Sequence, residues 1–290
     1  MLYFRIATLS YDITNQQIEV SMGFLSIFRK SQNVSVIPLN GIIAPNMGRR
    51  KGLNLNEIDK NIEDAFSVKN LKAVALQINS PGGSPVQSEM ISNRIRGLSE
   101  KKNIPVLAFV EDVAASGGYW LACSADEIFA SKASIVGSIG VVSSGFGFDK
   151  AIQKLGVERR LYTSGDNKAI LDPFLPENND DVKRLKGIQK ELHNQFISFV
   201  KSRRGSKITN ENKEIFTGAF WSGEKSLEIG LIDSFGEMKA VLKDRFGENV
   251  KIKEFAPKKK LFGFGNLLSG ALDMFIHKIE ERSSFKNFGL

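Results

Sequence analysis

The chain has 290 residues, 42% hydrophobic and 25% charged, an ordinary globular balance that excludes wholesale disorder and allows one large domain or two small ones. A single cysteine, Cys123, excludes an intrachain disulfide and a multi-cysteine zinc site, and two histidines, His193 and His277, leave little room for a histidine metal centre or a His-dependent triad. The formal charge of +8 points to acidic partners, but without zinc-finger spacing, an aromatic RNA-binding signature or a basic heptad it reads as a solvated face plus basic tails, and no nucleic acid is expected.

Residues 1–33 form an N-terminal extension, and its first 21 residues show weak periodicity. Arg5, Asp12 and Glu19 interrupt what would be the apolar region of a signal peptide, and no small-residue cleavage site comes after them. The clear pattern begins at Met22, so Met1 and Met22 both stand as starts. The segment 22–30, MGFLSIFRK, is apolar and basic and suits a membrane surface. No run reaches the roughly 18 to 20 apolar residues of a spanning helix. The expectation is a cytoplasmic protein with peripheral contact to the inner membrane.

From residue 34 strands and helices alternate, the habit of a parallel sheet with crossover helices. Strands are predicted at 34–39, 73–78, 105–110, 127–130, 137–142 and 159–162. Helices are predicted at 56–66, with Ile58, Ile62, Ala65 and Phe66 on one side, and at 86–98, 116–124 and 149–155. A long helix at 180–204 carries the stripe Leu185, Ile188, Leu192, Phe196, Phe199 and Val200, with His193 beside it as a packing or surface residue. Shorter helical pieces are predicted at 210–216 and 223–229. The sequence divides into the extension, a main domain over 34–257 and a tail over 258–290. In that tail Lys258, Lys259 and Lys260 precede an amphipathic helix bearing Leu268, Leu272, Phe275 and Ile279. Binding to an anionic membrane and packing on a sister subunit both fit it.

Two glycine-rich turns carry the chemistry. The first, Ser80-Pro81-Gly82-Gly83, comes after a buried strand and opens a helix, which leaves amide N–H groups facing a cleft where they can hold a phosphate or an oxyanion. The second, Ala114-Ala115-Ser116-Gly117-Gly118-Tyr119, sets a serine at a strand-to-helix turn with small neighbours on both sides, the logic of a nucleophile elbow. Amides from the two turns together would form an oxyanion hole. Neither histidine is placed to activate Ser116. A desolvated lysine can serve as base, and Lys168, after the predicted strand at 159–162, is a candidate.

These pieces resemble the signal peptide peptidase A family, the S49 serine peptidases with a Ser-Lys dyad. The matching segments are INSPGG at 78–83, ASGGYW at 115–120, GSIGV at 137–141, YTSG at 162–165 and SGEKSLEIGLID from Ser222, in the family's order and covering roughly two thirds of the chain. The resemblance implies an α/β, ClpP/crotonase-like spiral ββα fold with helical appendages. It implies Ser116 as nucleophile, Lys168 as general base, Gly83 and Gly117 as oxyanion donors, and Ser138 as the hydroxyl that orients the lysine. It further implies a single-repeat endopeptidase for apolar peptides such as cleaved signal peptides or membrane-associated proteins, working through an acyl-enzyme with no metal or organic cofactor, in a homo-oligomeric ring. The sequence around Lys168 is looser than the flanking motifs.

Two other readings stay open on the sequence alone. A crotonase-type acyl-CoA enzyme would use the same oxyanion hole with a carboxylate, Glu89 or Glu111, in place of the dyad. A non-catalytic scaffold of membrane proteolysis would also accommodate the basic tail.

Overall fold

The computed structural model describes residues 32–46, 52–208, 213–257, 285–286 and 288. Three near-continuous apolar runs form its centre: β1 (Asn33–Asn40), β2 (Leu71–Ser80) and β3 (Val106–Ala115). Such runs suit strands buried on both faces, and the three pair in parallel, β1 with β2 and β2 with β3. The crossovers are α1 (Leu55–Phe66) and α2 (Pro85–Lys102). Asn54 caps α1 by accepting the Glu57 amide, and α1 buries the predicted Ile58, Ile62, Ala65 and Phe66. Proline opens α2, and Asn103 in the left-handed region ends it.

At β3 the sheet forks. Leu107 to Val110 pair with β4 (Glu127–Ala130), whereas Val113 to Ala115 pair with β5 (Ile135–Gly137). Between the two halves β2 advances from Ile78 to Ser80 while β3 advances from Val110 to Ala114, so Glu111 and Asp112 bulge out into solvent. The Asn79 amide donates to Asp112 at 2.7 Å and the Gln77 amide to Glu111 at 2.5 Å, holding the bulge from the neighbouring strand. A bulge bends its strand and re-aims the residues beyond it. Beyond this one stands Ser116. The sheet is completed by β6 (Phe220–Ser222), antiparallel to β5, by β7 (Ser234–Phe235) on β4, and by β8 (Lys251–Glu254) on β1. The strand order is β6-β5-β3-β2-β1-β8, with β4 and β7 as the branch.

One core lies between the sheet and α1, α2, α3 (Gly117–Ala122) and the C-terminal half of α5 (Asn179–Arg204). On the other face Leu242 of α7 (Met238–Phe246) closes over Val36, Ala75, Leu107 and Phe129. Arg204, buried at the end of α5, pairs with Asp233 at 2.7 Å and donates to the Gly230 carbonyl. Burial opposes the charge on Asp233, but hydrogen bonds from Arg204 and Lys207 outweigh it and hold the carboxyl below its ordinary range. Tyr119 of α3 donates its hydroxyl to the Leu231 carbonyl at 2.8 Å. The segment that begins with α6 (Gly223–Glu228) therefore clamps both α3 and the end of α5.

The structure corrects several expectations. The predicted strand at 137–142 is strand only at Ile135–Gly137, because Ser138 takes φ +55° and turns the chain out of the sheet. The predicted strand at 159–162 is exposed coil: among the described residues no strand pairs with it, Arg159 and Arg160 pair with Asp172 and Glu158, and Tyr162 is 91% exposed. Of the helix expected over 210–216, the described residues Lys213–Phe216 form a 3₁₀ turn, and 210–212 lie outside the described residues. β3 runs on to Ala115, since the charged bulge hides its second half from a pattern search. The extension over 1–31 and the tail from Lys258 to 284, with the membrane and subunit readings attached to them, lie outside the described residues. Among the described residues no helix is long and apolar enough to cross a membrane, and no group of His, Cys, Asp and Glu side chains is arranged to hold a metal ion.

Candidate active site

The two glycine-rich turns meet. Gly82 and Gly83 take φ of +103° and +141°, which only glycine adopts freely. A methyl on Gly82 would lie 2.8 Å from Gly117 N and from Ser116 Cβ, so the first turn nests directly against the second. The strap after β1 fixes its other side, with Ile43 N–H donating to the Gly82 carbonyl at 2.8 Å and Ser84 N–H to the Ile43 carbonyl at 2.7 Å. Ser80, fully buried, donates to the Gly41 carbonyl at 2.7 Å and accepts the Gly82 amide. With its neighbours so engaged, the Gly83 N–H has no acceptor among the described residues, and neither has the Gly117 N–H at the first position of α3. A methyl on Gly117 would sit 3.3 Å from Gly83 N, which places the two free amides around one small space.

Ser116 stands beside them at φ +50° and ψ −121°. A non-glycine residue there is strained by roughly 1–3 kcal/mol, and such residues concentrate at functional sites. Its amide donates to the Gly137 carbonyl at 2.8 Å and its carbonyl accepts Trp120 N–H at 3.0 Å, while its hydroxyl makes no capping bond. The side chain is half-buried, on the floor of a cleft of about 640 Å³. Ser138, strained at φ +55°, lines the same cleft, held by its amide to the Ala219 carbonyl at 2.7 Å. The remaining walls are mostly apolar, including Ile42, Pro81, Val141 and Phe220 with Thr217 as a polar exception, and the ring of Phe288 stands edge-on to Phe220 at 5.1 Å. No charged residue is among the described residues that line it.

The structure thus brings together Gly83, Ser116, Gly117 and Ser138, and leaves Lys168 outside. Lys168 is exposed on a turn closed by its amide to the Gly165 carbonyl at 3.2 Å. That turn belongs to an arm over 141–178 whose helix α4 (Asp149–Lys154) buries no residue. Of the carboxylates that a crotonase reading needs, Glu89 is exposed on α2 and Glu111 lines a separate cleft of about 600 Å³. Cys123 is no alternative nucleophile, since burial pushes its thiol up to about 12 and keeps it protonated. Sequence reasoning missed the contributions of Ile42, Thr217, Gly218 and Phe220 to the cleft. The signal available was the Thr217-Gly218 pair before two aromatics.

A family model, Peptidase family S49, matches residues 99–252, more than half of the chain and the part that includes Ser116, Ser138 and Lys168. The chain belongs to peptidase family S49. Its similarity extends to the Na(+)/H(+) antiporter NhaA of Brucella abortus, 48% identical over 231 residues, which are 79% of this chain and 31% of that protein. It is also similar to the chloroplastic serine protease SPPA of Arabidopsis thaliana, 30% identical over 184 residues, 62% of this chain and 26% of that one. The S49 chain thus spans less than a third of either relative. Among solved structures, the 1510-N membrane-bound stomatin-specific protease, as a lysine-to-alanine variant in complex with a substrate peptide, superposes with a TM-score of 0.51 at 17% identity, covering 86% of this chain and 99% of that one. That likeness concerns the fold, which is the expected α/β, ClpP-like arrangement.

Proposed function

We propose that this S49 chain is a serine endopeptidase that cleaves extended, largely apolar peptides through an acyl-enzyme. The observation that carries the reading is the strained Ser116, its hydroxyl making no capping bond, beside two amides that have no acceptor among the described residues. Ser116 Oγ attacks the scissile carbonyl, and the carbonyl oxygen, as it gains charge, is held by the N–H groups of Gly83 and Gly117. Losing one such donor typically costs about 10²–10³ in rate. Collapse of the tetrahedral adduct expels the amine and leaves the acyl group on Ser116, and water then repeats the sequence. Uncharged, mostly apolar walls favour apolar side chains on either side of the bond.

The proton needs a base within hydrogen-bond reach of Ser116. We assign it to Lys168, with Ser138 orienting the amine, and we propose that Lys168 enters the cleft only in a homo-oligomer. The arm that carries it exposes Val142 at 87%, Phe146 at 80% and Leu155 at 77%, an apolar surface that assembly would cover. No metal or organic cofactor has a role in these steps. Labelling of the full chain by a fluorophosphonate, lost in Ser116→Ala, tests the reading. Peptide hydrolysis that survives Ser116→Ala refutes it.

A further inference from the structure

The C-terminal half of α5 packs, at three points on one face, against the segments that carry or adjoin Ser116 and Ser138. Phe196 and Phe199 stack on Trp120 of α3, with ring centroids at 4.8 and 5.2 Å. Arg203 donates to the carbonyls of Cys123 and Ala125, both at 2.9 Å, where α3 ends. One turn before Phe196 on the same face His193 Nε2 lies 3.0 Å from the carbonyl oxygen of Ile139. A carbonyl only accepts, so Nε2 carries the proton and donates it. Ile139 comes directly after Ser138, and its side chain is fully buried.

We infer that His193 is a positioning residue, which holds the Ser138-Ile139-Gly140 segment at the working distance from Ser116. This rests on the peptidase reading for its effect on rate, though not for its effect on the segment. The segment needs such a hold. Gly137 and Ser138 both have positive φ, at +116° and +55°, and after Gly137 the chain leaves the β5–β6 ladder. Among the described residues its remaining backbone ties are Ser138 N–H to the Ala219 carbonyl at 2.7 Å and a local bond from Gly140 N–H to the Ser138 carbonyl at 3.0 Å. The bond from His193 is the tie that joins it to α5. The N-terminal part of α5 continues from the arm that carries Lys168, and none of its residues is fully buried before Phe196. One rigid helix thus joins the proposed base-bearing arm, the nucleophile helix and the Ser138 segment.

Three variants of the full chain test this. In His193→Gln the terminal amide nitrogen reaches where Nε2 stood, in His193→Asn the shorter side chain does not, and His193→Phe keeps the ring bulk without a donor. The expected result is that Gln keeps kcat within about twofold, while Asn and Phe lose about tenfold, the order of one neutral hydrogen bond left unmade, at nearly unchanged KM and assembly. Amide hydrogen exchange in a peptide spanning residues 135–142 should rise in Asn and Phe and stay at the wild-type level in Gln. That measurement does not require activity, so it separates this inference from the peptidase reading. Unchanged exchange in His193→Phe, or a Gln variant as impaired as Phe, overturns it.

Discussion

The amide of Ser116 donates to the carbonyl of Gly137 at 2.8 Å, which ties the proposed nucleophile to the strand end from which Ser138 departs. Two strained residues, Ser116 at φ +50° and Ser138 at φ +55°, are thereby held against each other across the β3–β5 edge. Both lie at one cleft, and the packing around them sustains the strain.

The strain itself is measurable. Ser116→Gly should lose all peptide turnover yet gain about 1 kcal/mol of stability, because glycine adopts φ +50° freely and offsets only part of that gain through the entropy of its unfolded state. Ser116→Ala should lose turnover without the gain. Chemical denaturation of the three proteins decides it. If the alanine and glycine variants are equally stable, the elbow carries no strain.

The crowding between the turns gives a second test. In Gly117→Ala the new methyl would lie 2.5 Å from Ser88 Oγ and 3.3 Å from Gly83 N. The variant should lose about 2 kcal/mol, within the usual range for overpacking. Adding Ser88→Ala removes the closer obstacle and should restore much of the stability, a coupling above about 0.5 kcal/mol in a double-mutant cycle. Turnover should stay low in the double variant, because the methyl still crowds the Gly83 amide. Full recovery of turnover would remove Gly83 from the oxyanion hole.

Much of this was legible in the sequence for a physical reason. Buried central strands and amphipathic crossovers announce themselves by composition and period, so β1, β2, α1 and α2 emerged within a few residues of their bounds. Both turns were visible through their glycines, since Gly82 and Gly83 take positive φ and a side chain on Gly117 or Gly118 would collide with Ser88 or Ser80. The features that stayed hidden depend on distant partners. The fork in β3 is created by Glu111 and Asp112, which read as a strand end until Gln77 and Asn79 are seen to hold them. The short strands β6, β7 and β8 are two to four residues long and exist by pairing alone. The strand expected at 159–162 failed for the opposite reason, since its pattern fits a strand but no described neighbour pairs with it. His193 reads in the sequence as a packing or surface residue, and its contact with Ile139 emerges only with the fold.

Stability at low pH should report on Asp233. Its carboxyl is held below the ordinary range in the folded chain, so as the pH falls the unfolded chain takes up its proton first. The stabilisation is therefore complete above the ordinary aspartate value of about 3.9 and is lost as the pH drops through the lower folded value. Asp233→Asn should flatten that part of the profile. It should also cost about 3 kcal/mol near neutrality, because the buried Arg204 loses its counter-charge. A variant with wild-type stability and an unchanged acid slope would contradict this assignment.

The last prediction joins Lys168 to assembly. A base must exchange a proton, and guanidinium cannot do so near neutral pH, so Lys168→Arg should be as inert as Lys168→Ala despite its retained charge. Lys168 is exposed within one chain and does not line the cleft, so turnover per chain should fall as the protein is diluted through its dissociation range. Phe146→Asp, which puts a charge on a side chain that is 80% exposed, should leave the fold intact while weakening the assembly and the activity together. Analytical ultracentrifugation and peptide turnover measured over the same concentrations check this. Activity that stays constant per chain down to the monomer would mean that Lys168 reaches Ser116 within one copy. Substantial activity in Lys168→Arg would assign the proton to another group. The two results are independent, so the identity of the base and its dependence on assembly can be settled separately.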